Sequence, residues 1–205
     1  MRGGIIDGDP RHSAARVRAA LGPEIGLMCD AHGTLSVAEA KRFCRLVEAD
    51  SLTWFEEPVT ADDKKGQAEV RAVTDIPIAS GESEFTRHDF RDLAMLSAVD
   101  IMQPDLAICG GITEAMRISA LASAFNLKLA PHLWAGAPAF AAGLHVAAAS
   151  PAGFIVEYSL GANPLLHDLV EENFPVEGGM IDVPDRPGLG ITVREDFLHK
   201  HAVKP

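Results

Sequence analysis

Three carboxylates recur at equal spacing along the chain, because Asp30, Glu56 and Glu82 are 26 residues apart and each ends an apolar run. Burying carboxylates without a counter-charge costs free energy, so a shared cation is the simplest reason for placing three of them alike. A hard, anionic oxygen set suits Mg²⁺, whereas zinc prefers histidine and cysteine sets that do not accompany these acids. The spacing therefore predicts a Mg²⁺ site.

A second acid, Glu57, directly follows Glu56 in the motif WFEEP. Successive side chains of a β-strand point to opposite faces of the sheet. We therefore expect Glu57 to point away from Glu56 and to serve either as a structural partner or as a residue that supports a metal ligand, rather than as a ligand itself.

The acids belong to a longer repeat of six apolar runs, spaced by about one βα unit. The runs end, in order, at Asp30, Glu56, Glu82, Asp105, His132 and Glu157. Each run is apolar throughout, which is typical of strands that are buried on both faces of a parallel sheet. Segments with helical spacing separate the runs, so the sequence predicts βαβ units.

The polar ends of these runs favour a closed barrel over an open sheet. In a (β/α) barrel the carboxyl ends of the strands form one rim, where active sites lie. Neighbouring strands are about 4.8 Å apart, so side chains from adjacent ends can meet. A doubly wound open sheet would need a glycine-rich phosphate turn after its first strand, and CDAHGT is not one.

Helices are predicted between the runs and also before the first run, over about Pro10 to Leu21. Ser36 stands in N-cap position before the helix that follows the first run. The other predicted helices cover residues 62–74, 86–97, 111–125 and 137–150.

The composition bounds the class of protein and its partners. The net charge is −11 over 205 residues, so nucleic acid and anionic membrane surfaces would repel the chain. Three cysteines without metal-ligand spacing predict neither a disulfide framework nor a zinc site. We expect a cytoplasmic protein with no nucleic-acid partner and no membrane partner.

The motifs, taken together with their spacing, resemble those of a known family. They are D-A-H-G, W-F-E-E-P, G-E, Q-P-D…G-G-I-T-E and P-H-L-W. This pattern resembles the enolase superfamily, and within it the mandelate racemase/muconate-lactonizing enzyme group. The resemblance implies a (β/α)₇β barrel beside a capping domain, with Mg²⁺ held by three carboxylates. It also implies removal of the proton α to a substrate carboxylate, through an enediolate.

Carried over by position, the resemblance makes Asp30, Glu56 and Glu82 the metal ligands. In the muconate-lactonizing branch of the group that the chain resembles, the corresponding strand ends in lysine, whereas this chain has Asp105 there. Asp105 and His132 therefore resemble the mandelate racemase dyad. Imidazole can take or give a proton near neutral pH. A carboxylate on its other nitrogen fixes the tautomer and stabilises the imidazolium. The alternative for His132 is a core histidine without a chemical role.

Four further residues are candidates for substrate contact. The resemblance implies that Glu157 hydrogen-bonds the substrate carboxylate or enediolate as the protonated acid. His32 replaces an asparagine often found two residues after the first ligand, and it either touches substrate or packs. Trp134 either lines the pocket or packs on the next helix. Arg2 stands where the family has the second lysine of Lys-x-Lys, and arginine is a poor general base.

The fold class that follows is α/β, as a partial TIM-type (β/α) barrel that lacks the N-terminal capping domain and the first barrel strands. We expect residues 1–205 to form one incomplete barrel domain, with residues 174–205 as a C-terminal segment that returns toward the capping-domain side. The edge strand at IGLMCD would be open unless another copy covered it, so we expect a homo-oligomer.

The predicted activity is dehydration of a sugar acid to a 2-keto-3-deoxy acid, a lyase reaction for which one base suffices. A racemase or epimerase, a lactone cycloisomerase, and an inactive fragment with a structural role are the alternatives. An unrelated barrel aldolase would need a Schiff-base lysine at a strand end, and none of the six runs has one.

Overall fold

In a computed structural model that describes residues 10–203, five parallel strands form one sheet in chain order. The strands are β1 (Met28–Asp30), β2 (Trp54–Glu56), β3 (Ile78–Ser80), β4 (Ile101–Met102) and β5 (Lys128–Leu129). Strands that pair with their sequence neighbours, with a helix in each connection, make consecutive βαβ units. The predicted alternation of strands and helices is therefore confirmed.

The sixth apolar run is shorter as a strand than the sequence predicts. It joins β5 through a single bridge between Leu129 and Gly153, flanked by a hydrogen bond from Phe154 N to Leu129 O at 2.9 Å. Phe154 and Ile155 are 43% and 41% exposed, so this run lacks the burial on both faces that its composition suggested. The prediction of a sixth full strand is wrong.

Helices occupy the connections and the C-terminal part. They are α1 (Pro10–Leu21), α2 (Val37–Val47), α3 (Lys64–Arg71), α4 (Thr86–Met95), α5 (Gly111–Ala124), α6 (Ala137–Ala149), α7 (Pro164–His167) and α8 (Glu195–His201). The predicted α1 is confirmed. The predicted helices that correspond to α2 to α6 are also confirmed, and each ends one to three residues earlier than predicted. None of the described helices is long and apolar enough to cross a bilayer.

The start of α2 follows from its first residues. The Ser36 hydroxyl accepts from Glu39 N, and Ser36 N donates to the Glu39 carboxylate at 2.9 Å. This reciprocal capping box satisfies two backbone donors that a helix start would otherwise leave unpaired. The predicted N-cap role of Ser36 is confirmed.

The strand side chains alternate between two environments. Trp54, Ala79, Ile101 and Ala130 form a small cluster of their own, with Met28 packed against it. The intervening strand residues join two larger clusters beneath the helices, one around α2 and α3 and one around α4 to α6. This alternation directs the inner side chains of successive strands toward one shared space.

The carboxyl ends of β1, β2 and β3 lie at nearly the same height in the sheet, and this register brings the side chains of the site together. Asp30 pairs with Glu56 across β1 and β2, and Glu56 pairs with Ala79 of β3. Among residues 10–203, β1 pairs with β2 alone, so its other edge is open in this part of the chain.

The C-terminal part is mostly irregular. A bridge joins Glu177 to Met180, and another joins Val170 to Val193. The sequence did not predict α7 or α8. The assignment of residues 174–205 as a segment that returns toward a capping domain stays a prediction.

Candidate active site

The candidate site is built from the loops and residues at the carboxyl ends of the strands. Asp30 and Glu56 are the last residues of β1 and β2. Glu82 lies two residues beyond β3, and Asp105 and His132 lie three residues beyond β4 and β5. Because the sheet is parallel, all of these ends lie at one edge.

Gly81 provides the turn that directs Glu82 into this site. Its φ is 143°, and a Cβ placed there would lie 2.6 Å from the ring of Phe90 and 3.0 Å from the backbone nitrogen of Gln103. Only glycine adopts such a backbone without strain. The glycine of the G-E motif is therefore required by the packing around it.

Asp105 and His132 form the predicted pair. His132 Nδ1 lies 2.8 Å from Asp105 Oδ2, and the other oxygen of Asp105 accepts from Ala107 N at 2.7 Å. Asp105 is only 4% exposed, so its carboxylate is fixed by these two contacts. The imidazole orientation is thereby set, and its Nε2 is left for chemistry.

The second nitrogen of His132 faces the acids. His132 Nε2 lies 3.3 Å from Glu82 Oε2. Burial by itself would lower the pKa of His132, but the hydrogen bond to Asp105 and the charges of Glu82 and Glu157 outweigh it and raise that pKa to about 9.

His32 is the second imidazole at this site. Its side chain is 74% exposed, and its Nδ1 lies 3.5 Å from Glu82 Oε1. The backbone N–H of His32 donates to Asp30 Oδ1 at 2.6 Å, with a φ of 49° that turns the chain over the end of β1. The structure thus brings His32 beside two of the predicted metal ligands.

The Glu56 carboxylate is held from the strand side. Trp54 Nε1 donates to Glu56 Oε2 at 2.8 Å. Burial raises the pKa of Glu56, the hydrogen bonds of Gln103 and Trp54 lower it, and the charges of Asp30 and Glu157 raise it again. Glu56 therefore lies within reach of the charges of two other rim acids.

Strand alternation predicted that Glu57 points away from Glu56, but Glu57 lies beside His32 at the site; its role as a structural or supporting partner stays a prediction. Its Oε2 lies 3.7 Å from His32 Nδ1. β2 ends at Glu56, and Glu57 has a φ of 38°, so strand alternation does not extend to it. Burial, followed by the charges of Glu82, Asp30 and Glu56, raises the pKa of Glu57 to about 8.

The acids at this edge of the sheet fit a cation. One ligand atom from each of Asp30, His32 and Glu57 lies within 4.8 Å of the others, and no described residue hydrogen-bonds Glu57 Oε1. Of the three predicted ligands, only Asp30 belongs to this close set, which does not include Glu56 or Glu82. Burial raises the pKa of Glu82; the charges of His132 and His32 lower it, and those of Asp30 and Glu157 raise it further. A divalent cation would relieve this mutual repulsion.

The remaining candidates lie around the same site. Glu157 Oε2 accepts from Leu133 N at 2.8 Å, which ties the sixth run to the loop of His132. Trp134 is 44% exposed in that loop. Arg2 lies outside the described residues.

The sequence did not predict a role for Trp54 or Gln103, and it predicted Glu57 only as a structural or supporting partner. Trp54 is two residues before Glu56 on the same strand, so strand periodicity alone would have placed both side chains on one face. Gln103 precedes Asp105 by the same interval. Glu57 follows the end of a strand and precedes a proline, where alternation is no longer a guide.

This fold and this arrangement of acids around a paired histidine define a barrel of the enolase type, and residues 3–197 match the family model described as enolase C-terminal domain-like. The chain belongs to this family. The resemblance deduced from the motifs is confirmed.

Curated relatives of the family are enzymes of sugar-acid metabolism by name. The chain is 37% identical to D-galactonate dehydratase of Ralstonia pickettii, over 95% of the chain and 54% of the relative. It is 35% identical to D-galactarolactone cycloisomerase of Agrobacterium fabrum, over 90% of the chain and 51% of the relative. The chain thus spans about half the length of the curated relatives that it matches.

A solved structure gives the same picture. The mandelate racemase/muconate lactonizing enzyme from a Sulfitobacter species has a TM-score of 0.90 and 33% identity, and the match covers all of this chain and 52% of that one. The partial barrel predicted from the sequence is therefore confirmed as the fold.

Proposed function

We propose that this chain carries the proton-abstracting half of an enzyme that dehydrates sugar acids to 2-keto-3-deoxy acids. The observation that carries the proposal is the imidazole of His132, held by Asp105 at 2.8 Å and facing Glu82 at 3.3 Å. The 37% identity to a D-galactonate dehydratase supports the substrate class. The proposed substrate is a small carboxylate, not nucleic acid or membrane, and the proposed location is the cytoplasm.

In this proposal His132 is the base that removes the proton α to the substrate carboxylate. Asp105 keeps one tautomer and stabilises the imidazolium that forms. The base must be neutral before it takes the proton. Glu82 is a predicted metal ligand, and its negative charge favours the protonated form of His132. A cation bound to Glu82 would offset that charge and so favour the neutral imidazole.

Asp30, Glu56 and Glu82 would hold Mg²⁺, as the sequence predicts, with His32 and Glu57 beside them. When bound, the cation supplies positive charge that stabilises the negative charge developing on the substrate. Glu57 Oε1 is buried and has no hydrogen-bond partner among the described residues. A bound cation would give this oxygen the partner that it lacks.

We assign to His32 the second proton transfer. Removal of the α-proton leaves an electron pair that forms the Cα–Cβ double bond as the β-hydroxyl departs. The hydroxyl leaves as water if it receives a proton, and the resulting enol converts to the 2-keto acid. His32 is a second imidazole next to Glu82, and its 74% exposed side chain can exchange that proton with solvent.

The substrate contacts stay as predicted. Glu157 is proposed to hydrogen-bond the substrate carboxylate or enediolate, Trp134 to line the pocket, and Arg2 to hold a carboxylate. The support is position: Glu157 lies at the same rim, where its charge raises the pKa of His132.

A lactone cycloisomerase is the second candidate, favoured by the 35% identity to a D-galactarolactone cycloisomerase. It uses the same first step with His132. A racemase or epimerase needs a base on each face of the carbon, and Arg2 does not fill that role. A fragment with a structural role is the remaining alternative.

The test is product identity. The purified chain is incubated with MgCl₂ and, separately, with D-galactonate, other sugar acids and sugar lactones, and products are identified by NMR. A 2-keto-3-deoxy acid supports dehydration, and a rearranged lactone supports the cycloisomerase. H132N, which lacks the proposed base, is the control. Substrates that return unchanged from every incubation with wild type, as they should with H132N, would contradict both the dehydratase and the cycloisomerase.

A further inference from the structure

We infer that Trp54 leaves Glu56 only one oxygen for a cation, and that this makes the predicted site select Mg²⁺ over Ca²⁺. The inference rests on the proposed function, in which Glu56 is a ligand. It adds one positioning residue, Trp54, and a metal specificity to that site.

The indole engages one oxygen of the carboxylate directly. Trp54 Nε1 donates to Glu56 Oε2 at 2.8 Å, a normal length for such a bond. Trp54 and Glu56 are two residues apart on β2, so both side chains lie on the inner face of the sheet. Glu56 Oε1 is therefore the oxygen left for a ligand role.

Packing keeps the indole in place. Trp54 is 8% exposed and forms the inner cluster with Ala79, Ile101 and Ala130. The ring of Phe154 meets it edge-on at a centroid distance of 6.4 Å. A buried indole N–H needs a partner, so giving up Glu56 Oε2 would leave a costly unpaired donor.

If Glu56 offers only one oxygen, it can bind a cation only as a monodentate ligand, and this affects which cation the site prefers. Mg²⁺ requires near-octahedral coordination by single oxygens at about 2.0–2.1 Å, whereas Ca²⁺ accepts more ligands and bidentate carboxylates. A carboxylate that cannot turn both oxygens to the cation penalises Ca²⁺ and suits Mg²⁺. Removing the indole N–H would free the second oxygen and relax this preference.

The test compares wild type with W54F, which keeps an aromatic ring but lacks the N–H, by calorimetric titration with MgCl₂ and with CaCl₂. We expect the Mg²⁺ dissociation constant to rise by about 10-fold or more in W54F. The dissociation constant for Ca²⁺ should change less, so the preference for Mg²⁺ falls. F154L, which removes the ring that packs on Trp54 but keeps the N–H, is the matched control and should keep the wild-type preference.

Each outcome is decisive. If W54F keeps the wild-type ratio of the two dissociation constants, the inference is overturned while the metal site of the proposed function stands. If wild type binds neither cation, both the metal site and the inference fall.

A second measurement does not depend on the folding of W54F. The chain has two tryptophans, so ¹⁵N-labelled indole signals can be assigned with W134F. The Trp54 N–H signal should stay in its hydrogen-bonded position, with slow solvent exchange, as MgCl₂ is added. Its loss of protection on saturation would mean that Glu56 uses both oxygens, which would overturn the inference.

Discussion

Glu82 stands between two imidazoles, with Oε2 at 3.3 Å from His132 Nε2 and Oε1 at 3.5 Å from His32 Nδ1. The two histidines differ in what surrounds them. His132 is bound to a buried aspartate, whereas the side chain of His32 is largely exposed. A fixed imidazole suits removal of a carbon-bound proton, and an exposed one suits exchange with a leaving hydroxyl.

This difference predicts separate effects of replacing each histidine. In H32Q, we expect dehydration to fall by about 10²-fold or more, since the departing hydroxyl loses its proton donor. Loss of the α-proton to D₂O should continue, because His132 and Asp105 are intact. Both rates are measured on one sample by NMR. An H32Q variant that dehydrates at the wild-type rate would remove His32 from the chemistry.

At the scale of elements, the start of α2 holds the loop after β1, which carries His32. In S36A, we expect the unfolding free energy to fall by about 1 kcal/mol, because the helix loses its capping box. Urea unfolding followed by circular dichroism measures this. S83A, at an exposed loop serine, is the matched control, and an equal effect in both variants would contradict the capping role.

The contact between α4 and α5 predicts a pH dependence of stability. The backbone N–H of Arg87, and then the side chain of Arg117, hydrogen-bond the Glu114 carboxylate and lower its pKa from 4.5 to about 2. A lowered native pKa stabilises the fold above pH 4.5, and that stabilisation is lost as pH falls toward 2. Wild type should therefore exceed E114Q in stability at neutral pH.

The difference in stability between wild type and E114Q should shrink steadily from about pH 5 downward. Protonation of Glu114 removes the same negative charge that the substitution by glutamine removes. Thermal unfolding at a series of pH values measures it. E69Q, which disrupts an exposed pair with Lys41, is the control and should follow wild type closely. A constant difference between wild type and E114Q at every pH would contradict the assignment.

At the scale of the whole molecule, the described sheet ends at β1, whose outer edge has no strand beside it among residues 10–203. Open edges pair with other strands. We expect self-association, seen as a mass above 21.8 kDa in sedimentation and as an unfolding temperature that rises with protein concentration. A monomer whose unfolding temperature is independent of concentration would contradict this.

Much of this architecture is predictable from sequence for a physical reason. The strand runs are apolar throughout and end in polar residues, so the parallel sheet and its active rim follow from burial and periodicity. The pair of Asp105 and His132 follows from the same spacing together with the family resemblance.

What the sequence does not predict lies where periodicity stops. Glu57 turns into the site because its φ is 38° beyond the end of β2, and no pattern in the sequence fixes that angle. The sixth run has the composition of a buried strand but meets β5 at a single bridge. The partnership of Trp54 with Glu56 depends on side-chain rotamers, which a residue pattern does not specify.

We propose that His132, held by Asp105, removes the proton α to a carboxylate at this rim. The most direct measurement incubates the chain with MgCl₂ and D-galactonate in D₂O and follows the C2 proton by NMR. We expect loss of that signal with wild type, at a rate that is at least about 10²-fold lower in H132N and similarly reduced in D105N. Equal rates in wild type and H132N, or a C2 proton that never exchanges, would contradict it.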